Sequence, residues 1–283
     1  MEFKVNLPLR LSLSFYNWQG AEPDFQKILK AVEHLKLFSL SLEFDRQALS
    51  IFQKSFNEFS FKAFKKTLII DFKDYADNQD IIPIFNEVEV DIPFFSQERE
   101  IELFLNTNPD KNFIISFLLT GQNIKVFEKI LFYAQKYNKK IKIPNPNLIR
   151  YKNELSKIYL RKEDLLQIKD LKPLVKNINI EVHDYFLAKF FELSDADRFA
   201  GCQAGKLMGH IENGNLYPCA SIPEKVGSLL EYSFEILWNR AYNIVDEVCK
   251  KCCIGCNKRD LCKLGCIGNA VYLGDCKDPL CEE

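Results

Sequence analysis

Over residues 7–15 apolar and polar side chains alternate strictly. Leu7, Leu9, Leu11, Leu13 and Phe15 fall on one face and Arg10, Ser12 and Ser14 on the other, the period of a strand covered on one side. The period then lengthens. In residues 23–35, Phe25, Ile28, Leu29, Val32 and Leu35 recur at three and four residues, which predicts an amphipathic helix. The same pair repeats along the chain. Strand 39–44 precedes a helix from Arg46, strand 67–72 a short helix near Ile81, and strand 87–92 a helix over 97–105. Strand 113–119 precedes a helix over 123–137, and strand 140–143 follows it.

Each of these strands is separated from the next by a helix-length crossover. Hairpins do not need such a connection and parallel pairing does. The expected fold is α/β, a partial (β/α)6 barrel of six strand and helix units, with a flat doubly wound sheet as the alternative, because periodicity does not fix closure. After Pro144 and Pro146 the pattern loosens into a Lys-rich helical stretch over 147–174, then a strand-like 177–182, and residues 181–192 lead into a different chemistry.

Composition changes the picture in one place. All ten cysteines lie between Cys202 and Cys281, and the first 201 residues hold none. The formal charge of -1 gives no field that would draw the chain to nucleic acid or to an anionic membrane. No stretch reaches the ~18 apolar residues of a membrane span, and the N-terminus lacks the pattern of a secretory leader. A cytoplasmic location is expected, where thiols stay reduced or bind metal rather than forming a disulfide framework.

The first two hundred residues are poor in catalytic signatures. They contain two glycines, Gly20 and Gly121, so there is no phosphate loop and no dinucleotide fingerprint. His34 and His183 read as structural histidines. The six lysines of residues 125–142 read as a solvated helix face. No catalytic residue is assigned.

Seven cysteines keep an ordered spacing. Cys202 is followed by Gly214 and Cys219, then by Cys253, Cys256, Cys262 and Cys266 as CxxCx5Cx3C, and then by Cys276. Cys249, Cys252 and Cys281 stand outside that order as possible additional ligands. Thiolates suit zinc or iron–sulfur clusters, and CxxC lets two sulfurs of one loop reach one centre. Seven to ten sulfurs provide for two sites. Lys250, Lys251, Lys258, Arg259 and Lys263 flank the CxxC region and could offset cluster charge or receive an acidic ferredoxin-like electron donor.

This order, with Gly214-Asn-Leu-Tyr-Pro-Cys219 and the Leu237-Trp238 pair between its halves, resembles the SPASM domain, the auxiliary-cluster module of radical SAM peptide-modifying enzymes. The strand and helix units ahead of it resemble the partial barrel of the same superfamily. The resemblance implies a degenerate radical-SAM-like barrel over 1–195 and a SPASM domain over 196–283. It implies two [4Fe-4S] clusters, one on Cys253, Cys256, Cys262 and Cys276 and the other on Cys202, Cys219 and Cys266. The fourth ligand of the latter is left open among Cys252, Cys249, His210 and substrate.

A working radical SAM domain carries CxxxCxxC after its first strand, where this chain has Tyr16-Asn-Trp-Gln-Gly-Ala-Glu-Pro. In place of the glycine-rich segment after the second strand it has Glu43-Phe-Asp-Arg-Gln. No S-adenosylmethionine is therefore expected, and the absence of a CxxxCxxC motif and of a SAM-binding glycine segment argues against an enzyme without deciding it. In outline the chain is similar to the SPASM-only proteins of GeoRSP systems. That implies an accessory role in substrate binding or electron transfer beside an active radical SAM/SPASM enzyme and its peptide substrate, with neither nucleic acid nor membrane as partner. A free-standing two-cluster electron carrier, a structural zinc protein, and an open-iron Lewis acid using His210 or Glu212 are the other readings.

Overall fold

A computed structural model describes residues 7–155, 157–194, 201–251, 265–274 and 276–281, the side chains of Cys249 and Lys251 excepted. The first elements are β1 (Arg10–Phe15), α1 (Glu22–Glu33), β2 (Leu37–Phe44), α2 (Arg46–Ser55), β3 (Ala63–Asp71), β4 (Glu87–Ile92), α3 (Glu98–Thr107), β5 (Ile114–Phe117), α4 (Ile124–Lys136) and β6 (Lys140–Ile143). They follow the predicted alternation within a few residues. β1 pairs with β2, β2 with β3, β4 with β5 and β5 with β6, each in parallel. The crossover argument is thereby met.

Two predicted helices differ. Near Ile81 the chain makes single 3-10 turns at Ala76–Asn78 and Ile82–Ile84, because Pro83 lacks the N–H that a continuing helix needs. The stretch 147–174 opens as a turn in which the Asn147 side chain accepts the amides of Ile149 and Arg150, both at 3.1 Å. Such local bonding competes with the helical ladder. Helix resumes only at α5 (Lys162–Ile168) and α6 (Lys172–Lys176). β7 (Ile180–Val182) then pairs in parallel with β6, and α7 (Tyr185–Phe190) follows.

Downstream, β8 (Met208–Glu212) returns to pair in parallel with β1. It turns into β9 (Asn215–Tyr217), which pairs antiparallel with both β8 and β10 (Gly227–Ser228). The two-residue turn is Asn213-Gly214, with φ of +49° and +80°, the left-handed pair that a tight hairpin requires. A Cβ on Gly214 would also meet Ile28 Cδ1 at 2.6 Å. α8 (Phe234–Lys251) and α9 (Ile267–Leu273) complete the elements. The protein is α/β with one mostly parallel ten-stranded sheet, in the order β10-β9-β8-β1-β2-β3-β4-β5-β6-β7.

The chain forms two compact units interleaved in sequence. The first comprises Met1–Ile70, Asp74–Val88 and Gln203–Cys249. Its core is aromatic: Phe15 lies 4.4 Å from Phe25 and 5.8 Å from Phe44, which stacks on Phe52 at 4.7 Å. Leu237 and Trp238 of α8 are buried, and Trp238 comes so close to β8 that a Cβ on Gly209 would meet its ring at 2.9 Å. The second unit comprises Asp71–Lys73, Glu89–Cys202 and Lys250–Glu283. There Phe117 stacks on Phe127 at 6.1 Å. A smaller cluster of Leu118, Leu148 and Ile158 receives Tyr272 and Leu273 of α9. Full burial of each such side chain stabilises by about 1.5–3 kcal/mol.

Candidate functional site

Because Leu11, Leu13 and Phe15 of β1 are buried and Phe15 packs on Phe25 of α1, strand alternation turns Ser12 and Ser14 to the opposite face of the sheet. The parallel register sets Ser12 beside His210 and Ser14 beside Glu212. His210 Nδ1 lies 2.8 Å from Ser12 Oγ, and Nε2 lies 2.8 Å from Glu212 Oε2. A carboxylate only accepts, so Nε2 carries a proton, and in the neutral ring Nδ1 accepts from the Ser12 hydroxyl. Ser14 Oγ donates to Glu212 Oε1 at 3.1 Å.

The four side chains form one chain of hydrogen bonds across β1 and β8, with Ser14, His210 and Glu212 buried. Both nitrogens of His210 are engaged, so service as a metal ligand would require breaking one of these bonds. Tyr217 stands opposite His210 on β9. Burial, and then the charge of Glu212, hold its phenol above the usual range.

The second unit repeats the theme. Lys142 reaches both oxygens of the buried Glu89, at 2.6 and 2.8 Å, and Ser116 Oγ donates to Asp91 Oδ1 at 3.1 Å. Lys140 pairs with Glu181 at 2.7 Å and Lys129 with Glu102 at 2.8 Å. Several of the lysines of residues 125–142 are thus ion-paired rather than a free basic patch. His183 donates its amide to Ile143 O, and the exposed His34 lies 3.1 Å from Glu235.

Where a radical SAM domain would carry its three cysteines, the loop after β1 serves the core instead. Trp18 is buried edge-on to Phe15 at 5.5 Å. Its amide donates to Asp45 Oδ2 at 2.9 Å, while Asp45 Oδ1 caps α2 by accepting from Ala48 at 2.8 Å. The segment beginning at Glu43 therefore starts a helix by ordinary side-chain capping.

Of the predicted ligands, Cys202, Cys219, Cys266 and Cys276 are partly buried, as is Cys281. Cys219 belongs to the first unit, and Cys202, Cys266 and Cys276 to the second. Cys253, Cys256 and Cys262, with Cys252, lie outside the described residues, and Cys249 is on α8. Among the described residues no group of three or more His, Cys, Asp or Glu side chains is gathered as a metal site.

Cys266 is the best defined of the set. It is the N-cap of α9, and its Sγ accepts the Asn269 amide at 3.5 Å. Its own amide donates to Asp278 Oδ2 at 3.1 Å. Asp278 Oδ1 accepts from Leu280 at 2.9 Å, and the Asp278 carbonyl accepts from Cys281 at 2.9 Å. One carboxyl group thus joins the backbone at Cys266 to the backbone at Leu280. Burial, and then the neighbouring Asp184, push the Asp278 carboxyl up to about 8. Burial also raises Asp184, which caps α7 by accepting from Leu187 at 3.0 Å. Asp184 Oδ2 and Asn269 Oδ1 are buried with no hydrogen-bond partner among the described residues.

Sequence reasoning did not find Asp184 and Asp278. Both are single acids outside any spacing motif, and only the fold brings their charges within reach of each other. The donor chemistry at Cys266, a partly buried thiol with an amide directed at sulfur, suits a cluster ligand, since hydrogen bonds to sulfur tune such centres. No family model matches the chain, and no curated protein matches it.

Proposed function

We propose that this protein is an iron–sulfur accessory protein. Its α/β sheet would be a partial barrel of radical SAM type without the radical-generating site, and its cysteine-rich end would be a SPASM-type domain. In this reading Cys253, Cys256, Cys262 and Cys276 hold one [4Fe-4S] cluster and Cys202, Cys219 and Cys266 hold the second. Bound clusters would supply one-electron transfer or a coordination point for a partner's substrate. The protein's own residues do the rest. Asn269 directs an amide at the Cys266 sulfur, and Asp278 fixes the Cys266 backbone. The Ser12–His210–Glu212–Ser14 chain holds β8, and with it the start of the cysteine-bearing segment, to β1.

The observation that carries this reading is the distribution of sulfur. Every cysteine lies beyond residue 201, while the loop after β1 is given over to a packed Trp18. The partner would be an active radical SAM peptide-modifying enzyme, with a ferredoxin-like donor for electrons. No helix among the described residues is long and apolar enough to cross a membrane.

Anaerobic purification tests the reading. A brown protein with about eight irons and eight sulfides per chain is expected. A colourless protein with stoichiometric zinc would refute the clusters. Reductive cleavage of S-adenosylmethionine by the chain alone would refute the accessory role.

A further inference from the structure

Between the end of α2 and the start of β3, the chain carries phenylalanines at 56, 59 and 61 in quick succession. With Phe52 of α2 and Phe85 before β4, they surround a cavity of about 140 Å³, floored by Leu42 of β2. The rings touch one another at its walls and do not fill its centre. Phe59 and Phe61 stack at 6.0 Å, and Phe52 lies 6.5 Å from Phe56 and 6.3 Å from Phe85. Ser60 is exposed, so the space opens to the surface.

Because the space opens to the surface, water reaches the rings that wall it, and an apolar occupant that displaces that water is favoured by burial of its own surface and theirs. An enclosed apolar cavity of about 150 Å³ accepts one benzene ring, and this open recess has room for a body of that size.

The cavity also has a charge. Lys66 of β3 lines it, on the same face of the sheet as Leu40, its register partner. Its backbone is fixed by the Asn86 side chain, which accepts the Lys66 amide at 2.8 Å. The adjacent Lys65 is neutralised by Glu87 at 2.7 Å. Among the described residues no carboxylate pairs with the Lys66 ammonium. An unpaired cation beside an aromatic chamber selects a ligand with an apolar body and an anionic head.

We propose that this cavity binds a small carboxylic acid of one-ring size, an aromatic or branched aliphatic carboxylate, with its apolar part among the phenylalanines and its carboxylate on Lys66. The site involves no cysteine and stands apart from the iron–sulfur reading.

Phenylacetate is the probe, with neutral phenylacetamide beside it, each titrated into the full-length protein and followed by ligand-observed NMR. Phenylacetate should bind saturably and about tenfold tighter than the amide, the scale of one charge-assisted hydrogen bond. Lys66→Met should erase that preference while keeping the amide affinity. Ser60→Trp, placed on the exposed rim where the fold is not at stake, should block both ligands. Three results would overturn the proposal: no saturable binding up to about 10 mM phenylacetate, equal affinities for acid and amide in the unaltered protein, or a preference that survives Lys66→Met.

Discussion

At Glu181 two opposing effects meet on one side chain. Burial raises its carboxyl, but the hydrogen bond and charge of Lys140, followed by the charges of Lys142 and His183, more than offset it and hold the group below its ordinary 4.5. A carboxylate depressed in the fold adds stability above its unfolded value, and that stability is lost as pH falls from 4.5 through the lower folded value. The pair is partly exposed, so the contribution is about 0.5 kcal/mol. Glu181→Gln should therefore lower stability near neutral pH by that amount and converge with the unaltered protein once the pH has fallen below the lowered folded value. Urea unfolding across the acid range checks this, and an unchanged gap between the two proteins at every pH would contradict it. The sequence offered no hint of this pairing, because strands β6 and β7 are joined by a long irregular excursion that periodicity does not trace.

For the elements, the informative pair is β1 with β8. Ser12 and Ser14 were legible as the polar face of a strand, and His210 and Glu212 were visible as candidates for chemistry. That they belong together was not legible, since 198 residues separate Ser12 from His210 and no local pattern records a long-range register. The hairpin was nearer to reach, because Asn213-Gly214 between short apolar segments is a strong two-residue turn signal.

His210→Leu would remove the ring's hydrogen bonds to Glu212 Oε2 and to the Ser12 hydroxyl, in a seam where Ser14 and Glu212 are buried. It should destabilise the protein by about 2–4 kcal/mol, whereas Ser12→Ala should cost about 1 kcal/mol. Equal losses from the two substitutions, measured by chemical denaturation, would mean that the histidine contributes packing alone.

Across the molecule, the parallel α/β sheet was legible because buried parallel strands and amphipathic crossovers carry strong periods from β1 to β6. At the cysteine-bearing end the spacing suggested a chemistry and gave no structure. Thiol spacing constrains ligands, while strands as short as β9 and β10 carry too few residues for a period to emerge. No cysteine falls within β1 through β7, and α9 is anchored to the Leu118, Leu148 and Ile158 cluster by apolar contacts. Removal of the proposed clusters by a chelator should then leave the far-ultraviolet circular dichroism largely intact. Amide exchange should quicken chiefly around residues 265–281. Collapse of the whole spectrum on chelation would show that the sheet depends on the metal.

The pairing of β1 with β8 also bears on how the chain is made. During synthesis the first strand leaves the ribosome long before residues 208–212 exist, so for most of translation one flank of β1 faces water with its ladder unmet. Such a nascent chain is exposed to mispairing with other chains until residues 208–212 have emerged, and a holding chaperone has the most to protect in that interval.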